Sequence, residues 1–493
     1  MCSSFWITAQ EFTLADTLRG TLSPIRSCFD VTYYNLELKV DVENHSIAGV
    51  NHIRLKNVTD FDSIQIDLFE NMVIDSILHG AQKLKYHRLL NAVFVSFPST
   101  QKEGDENSLS IYYHGTPVVA KNAPWDGGFV WSKDEHQKPW VGVACEGLGA
   151  SLWWPNKDHL SDEPDSMRIS CTVPFGLMCV SNGELETRFK NEEGETWVWK
   201  VSYPINNYNV TLNIADYAHI QDYYLRNEKD SLKLDYYVLR HNVEKAKVHF
   251  KQVHEMMACF EQAFGAYPFS KDGYALVETP YLGMEHQGAI AYGNQYLLGY
   301  KGRFPEGIDF DYIIVHESGH EWWGNSVSMK DVADMWLHES FCTYAESVFV
   351  ECKYGYDKML QYLKYQRNFI GNGSPIFGTY GLNKKGDNRD MYYKGAWMIH
   401  TLRSVINDDD RFRSILKGIV QDFAYKTIDG HEVINYVNEK SGKNLTSFFN
   451  QYLRQKEIPV LIYKTRGKML QLRWKAAEYE FEMPVEFTIP SKG

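Results

Sequence analysis

The segment VHESGHEWWGN, residues 315–325, contains two histidines separated by three residues. Residues four apart on a helix lie on one face, so His316 and His320 can bind the same metal ion. Imidazole nitrogen is a common zinc ligand, and a hydrolytic zinc site takes three protein ligands and keeps one position open for water. The spacing therefore predicts one zinc ion per chain, with a third ligand supplied by another element.

Glu339, in the segment WLHESFCTYAES, is the candidate third ligand, nineteen residues after His320. It would lie on a following helix whose apolar positions Trp336, Phe341 and Tyr344 are buried. Glu317 projects differently from His316 and suits a general base acting on the zinc-activated water, whose pKa zinc lowers to about 7. The alternative is a helix that happens to carry two histidines, and a carboxylate at this spacing disfavours it.

These two segments resemble the gluzincin zinc aminopeptidases related to aminopeptidase N. This family includes membrane alanyl aminopeptidase and leukotriene hydrolase type metallopeptidases. The usual family pattern is HExxH followed by WLNEGF. The segment here reads WLHESF, with His338 and Ser340 at positions that are not ligands. The resemblance therefore leaves the predicted zinc ligands unchanged.

The segment YLGMEHQG resembles the GAMEN exopeptidase motif of that family. Gly283, Met284 and Glu285 align with the motif, whereas Leu282 and His286 depart from it. The resemblance implies that these three aligned residues bind substrate and that Glu285 binds the free α-amino group. A carboxylate at the closed end of a cleft admits only a chain that begins there.

Two further segments resemble family motifs. VACEGLGA resembles the TQFE segment and implies that Glu146 is a second amine anchor, since two carboxylates around one ammonium form a charge-assisted clamp. Without the family, a solvated charge at a strand end is the simpler interpretation of Glu146. YYKGA resembles YxKGA, which implies that the Tyr392 hydroxyl stabilises the oxyanion of the tetrahedral intermediate. Its neighbour Tyr393 is expected to pack.

The elements that must position these residues follow the order β, α, β. Apolar residues alternate with polar ones from Leu36 to Val42, which predicts a half-buried antiparallel strand. Helical spacing begins near Asn242, as a candidate N-cap, and continues for about six turns to Gly265. Further strands are predicted at Ile53–Leu55, Ala92–Phe97, Met167–Val173, Thr196–Val201, Tyr208–Ile214 and Tyr274–Val277.

These patterns predict a multidomain α+β protein. We expect an antiparallel β domain over residues 1–238, a mainly helical zinc catalytic domain over 239–456, and three or four strands of a partial β domain over 457–493. The resemblance implies that these are a β saddle domain, a thermolysin-like catalytic domain and the beginning of a C-terminal β-sandwich.

Composition limits the class of partner and compartment. The chain has 493 residues, 51 Lys and Arg against 63 Asp and Glu, and a net charge of −12, which disfavours nucleic-acid binding. It has no apolar run of about 18 residues, so no transmembrane span is predicted. The start MCSSFWITAQ fits either the remainder of a signal peptide or a cytoplasmic terminus, which leaves a periplasmic or secreted location and a cytoplasmic one open.

The eight cysteines are too widely spread for a disulfide scaffold and include no CxxC pair. We expect most of them to be buried free thiols. Oligomeric state is not predicted.

The resulting hypothesis is a zinc aminopeptidase acting on peptides with a free N-terminus, with Glu317 as base and Tyr392 at the oxyanion. A thermolysin-type endopeptidase is the first alternative, disfavoured because Glu285 and Glu146 would obstruct its cleft. A leukotriene-type epoxide hydrolase shares the whole zinc site and is the second. A scaffold with an inactive site is disfavoured, because the metal and catalytic positions are all present.

Overall fold

The computed structural model describes residues 12–383 and 389–486. The segment at residues 1–10 that suggested a signal peptide, and the chain end at 490–493, lie outside these ranges. Within them the predicted α+β architecture is confirmed: sheets dominate up to Leu239, and helices dominate from Val243 to Arg454. No helix among the described residues is long and apolar enough to cross a membrane.

The N-terminal region contains three sheets preceded by two short helices, α1 Leu14–Gly20 and α2 Pro24–Ser27. Its strands are β1 Phe29–Asp41, β2 Ser46–Asn57, β3 Phe61–Asp67, β4 Met72–His79, β5 Gln82–Lys83, β6 Lys85–Leu89, β7 Ala92–Gln101, β8 Glu106–Gly115, β9 Gly128–Lys133, β10 Pro139–Ala144, β11 Ser166–Val173, β12 Met178–Val180, β13 Glu184–Asn191, β14 Gly194–Val201 and β15 Asn213–Ala215. The eight-stranded sheet has the order β13-β14-β11-β1-β2-β8-β4-β5, beside sheets β12-β15-β10-β9 and β3-β7-β6.

The predicted alternation in β1 is present: Leu36, Leu38 and Val40 are buried, and Glu37 and Lys39 are exposed. Its pairing is only partly as predicted, because β1 is antiparallel to β2 and parallel to β11. Alternation reports that one face of a strand is buried, but it carries no information on the direction of the neighbouring strand.

A five-stranded sheet spans the expected boundary at residues 238–239. It contains β16 Tyr217–Asn227, β17 Asp230–Leu239, β18 Tyr274–Glu278, β19 Gly283–Met284 and β20 Ile290–Tyr292, in the order β16-β17-β18-β20-β19. β17 and β18 are parallel neighbours. The domain division stays a proposal, and this pairing favours placing the first boundary near residue 216.

The remaining elements form the helical region and its flanks. They are α3 Val243–His249, α4 Gln252–Phe264, α5 Tyr312–Gly319, β21 Val327–Met329, α6 Trp336–Tyr354, α7 Tyr356–Gln366, α8 Tyr393–Ile406, α9 Asp409–Asp422, β22 Lys426–Ile428, α10 Gly430–Ser441, α11 Thr446–Arg454, β23 Val460–Arg466 and β24 Met469–Lys475.

Three sequence predictions of local structure are corrected. The helix expected from Asn242 to Gly265 is two helices, α3 and α4, and the Asn242 side chain donates to Glu278 instead of capping. The segment Tyr208–Ile214 is mostly not a strand, since its start lies in the 3-10 helix Asn207–Asn209. In the C-terminal segment the described residues form two strands, the hairpin β23–β24, where three or four were expected.

The cysteine prediction is correct for five of the described residues and wrong for two. Cys28, Cys145, Cys171, Cys179 and Cys342 are buried free thiols. Cys259 on α4 and Cys352 on α6 form a disulfide that joins these two helices. The two cysteines are 93 residues apart in sequence. Spacing along the chain gave no sign of this pair, because α4 and α6 become neighbours only in the folded helical region.

Candidate metal centre and active site

Helix α5 carries the first two candidate ligands. Asp311 precedes it and accepts a hydrogen bond from the Ile313 amide at 2.9 Å, which satisfies one free N–H of the first turn. The helix ends at Gly319, and His320 follows with helical backbone angles, so His316 and His320 still share a face. A Cβ on Gly319 would lie 2.8 Å from Cys342 Sγ on α6, so glycine permits the close approach of the two helices.

That approach brings Glu339, in the first turn of α6, to the two histidines. Its Oε2 lies 3.6 Å from His316 Nε2 and 3.7 Å from His320 Nε2. Ligands about 2.0–2.1 Å from a tetrahedral zinc are about 3.3–3.4 Å apart. The spacing and the donor set of two imidazoles and one carboxylate therefore fit zinc.

Cys342 Sγ also lies within reach of both histidines. It contacts the His316 carbonyl oxygen at 2.7 Å, and burial raises the pKa of this thiol to about 12. Because this thiol already donates a hydrogen bond to the backbone, whereas Glu339 Oε2 lies near both Nε2 atoms, Glu339 is the better candidate for the third ligand.

The other nitrogen of each histidine has a partner that fixes the ring. His316 Nδ1 is 2.7 Å from Glu346 Oε1, and the Tyr312 ring stacks on this imidazole with centroids 5.1 Å apart. His320 Nδ1 is 3.0 Å from the Trp323 carbonyl oxygen. Both Nε2 atoms are thereby left for a metal, the arrangement in which outer partners orient metal-binding imidazoles.

Glu317 follows His316 on α5 and is 8% exposed. A Cβ on Gly283 would lie 2.7 Å from Glu317 Oε1, so the glycine backbone of β19 forms one wall beside this carboxylate. Burial raises the pKa of Glu317 to about 8, and the nearby His316 opposes that rise. A dication among the adjacent ligands would favour the ionised form.

Glu285 follows β19 and is 5% exposed. One carboxylate oxygen each from Glu285 and Glu317 and a ring nitrogen of His320 lie within 4.8 Å of one another. Met284 is buried and pairs with Ala291 of β20, which fixes the strand from which Glu285 projects. The Glu285 carboxylate is thus adjacent to a candidate metal ligand.

The half-buried Glu146 lies two residues after β10. Burial, followed by the negative charges of Glu146, Glu339 and Glu317, raises the pKa of Glu285 well above its ordinary value. Several carboxylates brought together in a buried pocket repel one another, and a bound cation relieves that repulsion. This electrostatic arrangement suits both a metal dication and a substrate ammonium group.

Tyr392 precedes α8, and its hydroxyl donates to Glu339 Oε1 at 2.8 Å. Burial and the adjacent carboxylates raise the pKa of this phenol well above its ordinary value, so it keeps its proton. On α8 itself, a Cβ on Gly395 would lie 1.9 Å from Ser340 Oγ. Glycine at residue 395 therefore lets α8 pack against Ser340 of α6. Tyr393 packs against Phe369, as expected.

Residues 248–452 match the family model described as the peptidase family M1 domain. We call this matched part of the chain the M1 domain. Probable aminopeptidase 1 of Sulfurisphaera tokodaii is 20% identical over 88% of this chain, and aminopeptidase N of Lactococcus lactis is 28% identical over 36%. The chain spans 54% of the length of the first relative and 22% of the second.

Solved structures share the fold of the M1 domain and of the β region before it. The M1 zinc metallopeptidase of Deinococcus radiodurans has a TM-score of 0.72 at 19% identity, covering 88% of this chain and 95% of that one. Leukotriene A4 hydrolase of Saccharomyces cerevisiae has a TM-score of 0.72 at 17% identity, covering 89% and 70%.

The matched M1 domain contains the three candidate zinc ligands. It also contains Glu317, Glu285 and Tyr392, whereas Glu146 belongs to the β region. Sequence reasoning missed a second contribution from that region. The Tyr208 hydroxyl donates to Glu285 Oε1 at 3.1 Å, from the 3-10 helix that had been predicted as a strand.

Tyr208 is itself part of a directed series of hydrogen bonds. The Met329 amide donates to His338 Nε2 at 2.9 Å, which leaves the proton of His338 on Nδ1. That nitrogen is 3.4 Å from the Tyr208 oxygen. His338, the histidine in WLHESF, is thereby connected through Tyr208 to the Glu285 carboxylate.

Two more residues of the M1 domain support the site. Glu346 lies seven residues after Glu339 on α6, two helical turns along the same face, and this spacing could have indicated it. Asn325 donates from Nδ2 to the Glu285 carbonyl oxygen at 2.9 Å and to Glu321 at 3.2 Å, so WWGN supports the backbone of Glu285.

Proposed function

We propose that this protein is a zinc-dependent aminopeptidase that hydrolyses the N-terminal peptide bond of peptides. The observation that carries the proposal is the proximity of the Glu285 carboxylate to Glu317 and to a ring nitrogen of His320, all within 4.8 Å. In a peptide the α-amino nitrogen and the first carbonyl carbon are about 2.5 Å apart. An ammonium group held by Glu285 would therefore present the first peptide bond to Glu317.

His316, His320 and Glu339 would hold the zinc ion. Zinc bound there would supply Lewis acidity, which polarises the carbonyl and lowers the pKa of water. Their fit to the ion is supported by the 3.6 and 3.7 Å ligand spacings and by the two imidazoles whose Nδ1 atoms already have partners.

The other residues would act on the substrate and its protons. Glu285 and Glu146 would bind the ammonium group, with Gly283 and Met284 forming the adjacent wall. Glu317 would take the proton of the attacking water and deliver it to the leaving amine. The protonated Tyr392 hydroxyl would donate to the carbonyl oxygen as its negative charge develops.

The test is hydrolysis of a panel of aminoacyl-coumarin substrates, each with an N-acetylated copy. Cleavage of the free-amine substrates and loss of activity on the acetylated ones is expected. Glu285→Gln removes the charge at nearly constant volume and should raise KM for free-amine substrates at unchanged zinc content. Equal cleavage of blocked substrates would favour the endopeptidase alternative.

Tyr208→Phe is the matched second variant, because it removes one hydrogen bond to Glu285 and no charge. A hydrogen bond to a charged group contributes about 1.5–3 kcal/mol, so we expect KM to rise about 10- to 100-fold with a smaller change in kcat. A fall in kcat alone would mean that Tyr208 supports the fold of the site and not the amine anchor.

A further inference from the structure

A second cluster of metal-ligand side chains lies outside the active site, formed by Glu135, His136 and His241. One ligand atom from each lies within 4.8 Å of the others. Glu135 and His136 belong to the turn between β9 and β10, and His241 to the 3-10 helix Arg240–Asn242, which leads from β17 into α3. The cluster shares no residue with the active site.

The cluster has the donor set and the spacing of the first site. Glu135 Oε1 lies 3.4 Å from His241 Nδ1 and 3.5 Å from His136 Nε2. The corresponding distances in the active site are 3.6 and 3.7 Å. Two imidazoles and one carboxylate about 3.3–3.4 Å apart are the arrangement expected around tetrahedral zinc.

His241 Nδ1 has no other use in the described part of the chain. The atom is shielded from solvent and makes no hydrogen bond there, and the Glu135 carboxylate is its ion-pair partner. A buried polar atom without a hydrogen bond destabilises the fold. A cation bound between the imidazole and the carboxylate would remove that cost.

The backbone that carries the ligands is held by contacts within the chain. Asp134 Oδ1 accepts hydrogen bonds from the amides of His136 at 2.8 Å and Lys138 at 2.9 Å, which fixes the turn. The carboxylate of Asp216 pairs with Lys138 and also with Arg240 Nε at 2.6 Å. This bridge joins the turn to the 3-10 helix and compensates the charges of Lys138 and Arg240.

We propose that Glu135, His136 and His241 form a second binding site for Zn²⁺, with the remaining coordination positions taken by water. The ion would join the β9–β10 turn to the segment that enters α3. Its role would be to hold these two segments together, because the three ligands come from both of them. The proposal is independent of the peptidase function.

The test is zinc stoichiometry, measured by isothermal titration of metal-free protein and by elemental analysis after dialysis. We expect two zinc ions per chain in the unmodified protein and one in His136→Ala. Because the His136 side chain is 61% exposed, its removal does not endanger folding. The matched control is His114→Ala, which removes an exposed histidine paired only with Asp75, at 3.0 Å, and should retain two.

Thermal unfolding gives a readout independent of activity. The second equivalent of zinc should raise the Tm of the unmodified protein and have no such effect in His136→Ala, whose peptidase activity should be unchanged. In His316→Ala, which lacks an active-site ligand, one zinc should remain, and adding His241→Ala should remove it. One zinc per chain in the unmodified protein, or two in His136→Ala, would overturn the proposal.

Discussion

The position of the Glu317 carboxylate requires glycine at residue 283, because a larger side chain would collide with it. A Cβ at residue 283 would lie 2.7 Å from Glu317 Oε1 and 2.8 Å from Ile313 Cγ2, closer than non-bonded atoms pack. Gly283→Ala should displace the carboxylate without touching a metal ligand. Because a displacement of about 1 Å can cost about 100-fold in rate, we expect kcat to fall at least tenfold at unchanged zinc content.

Gly373→Ala is the control for that substitution, because a Cβ there meets no atom within 4 Å. It should leave kcat unchanged. Full activity in Gly283→Ala would contradict the assignment of Glu317 as the base, and loss of zinc would show that the substitution disturbs α5 instead.

The buried environment of His286 leads to a second prediction, on how the stability of the fold depends on pH. It is fully buried, and both ring nitrogens lack hydrogen bonds within the described residues. Burial lowers the pKa of this imidazole to about 3, whereas in an unfolded chain it is about 6.5. Between these values the unfolded chain binds one more proton, so this residue destabilises the fold as pH falls below about 6.5.

His286→Asn removes that titration. From pH 7 to pH 5 the free energy of unfolding of the variant should improve relative to the unmodified protein by about 2 kcal/mol, measured by urea denaturation at each pH. His286→Gln is the matched variant. Its free energy of unfolding at pH 7 should differ from that of His286→Asn, but its gain relative to the unmodified protein between pH 7 and pH 5 should be the same. A constant difference across this range would contradict the buried neutral imidazole.

At the scale of elements, the approach of α4 and α6 is reinforced by the Cys259–Cys352 disulfide. α6 supplies Glu339 and Glu346, so its position matters to the site. Closing a loop of 93 residues stabilises a fold by about 4.6 kcal/mol in the chain-entropy model. Cys259→Ala/Cys352→Ala should lower the free energy of unfolding by up to that amount, measured by chemical denaturation without reductant.

Reductant provides the control for the disulfide. It should lower the stability of the unmodified protein and have no effect on the double variant. If reductant leaves the unmodified protein unchanged, the two cysteines are not joined in solution.

The sequence was most informative where a residue's neighbours lie on the same element. The four-residue spacing of His316 and His320 and the alternation in β1 are local patterns, and the structure has both. Tyr208 could not be found in this way, because its contact with Glu285 joins residues 77 apart through a 3-10 helix that has no periodic signature. The disulfide and the parallel neighbour of β1 depend in the same way on which elements meet.

At the scale of the whole molecule, the five-stranded sheet contributes one face to each of two cores. In β18, Ala275 and Val277 pack with the N-terminal β region, whereas Tyr274 and Leu276 pack with the helices. Successive side chains on a strand point to opposite faces, so a strand buried on both faces reads as a continuous apolar run. The segment Tyr274–Glu278 is buried along its whole length.

This shared sheet predicts that the two regions unfold together. Separating them would expose Tyr281, Met284 and Ala291, which are packed in the N-terminal core although they belong to the M1 domain. We expect one calorimetric transition whose van't Hoff and calorimetric enthalpies agree, in protein saturated with zinc. A fragment beginning at residue 217 should bind a hydrophobic dye and aggregate. Two separate transitions, or a stable monomeric fragment, would mean that the β region and the M1 domain fold independently despite their common sheet.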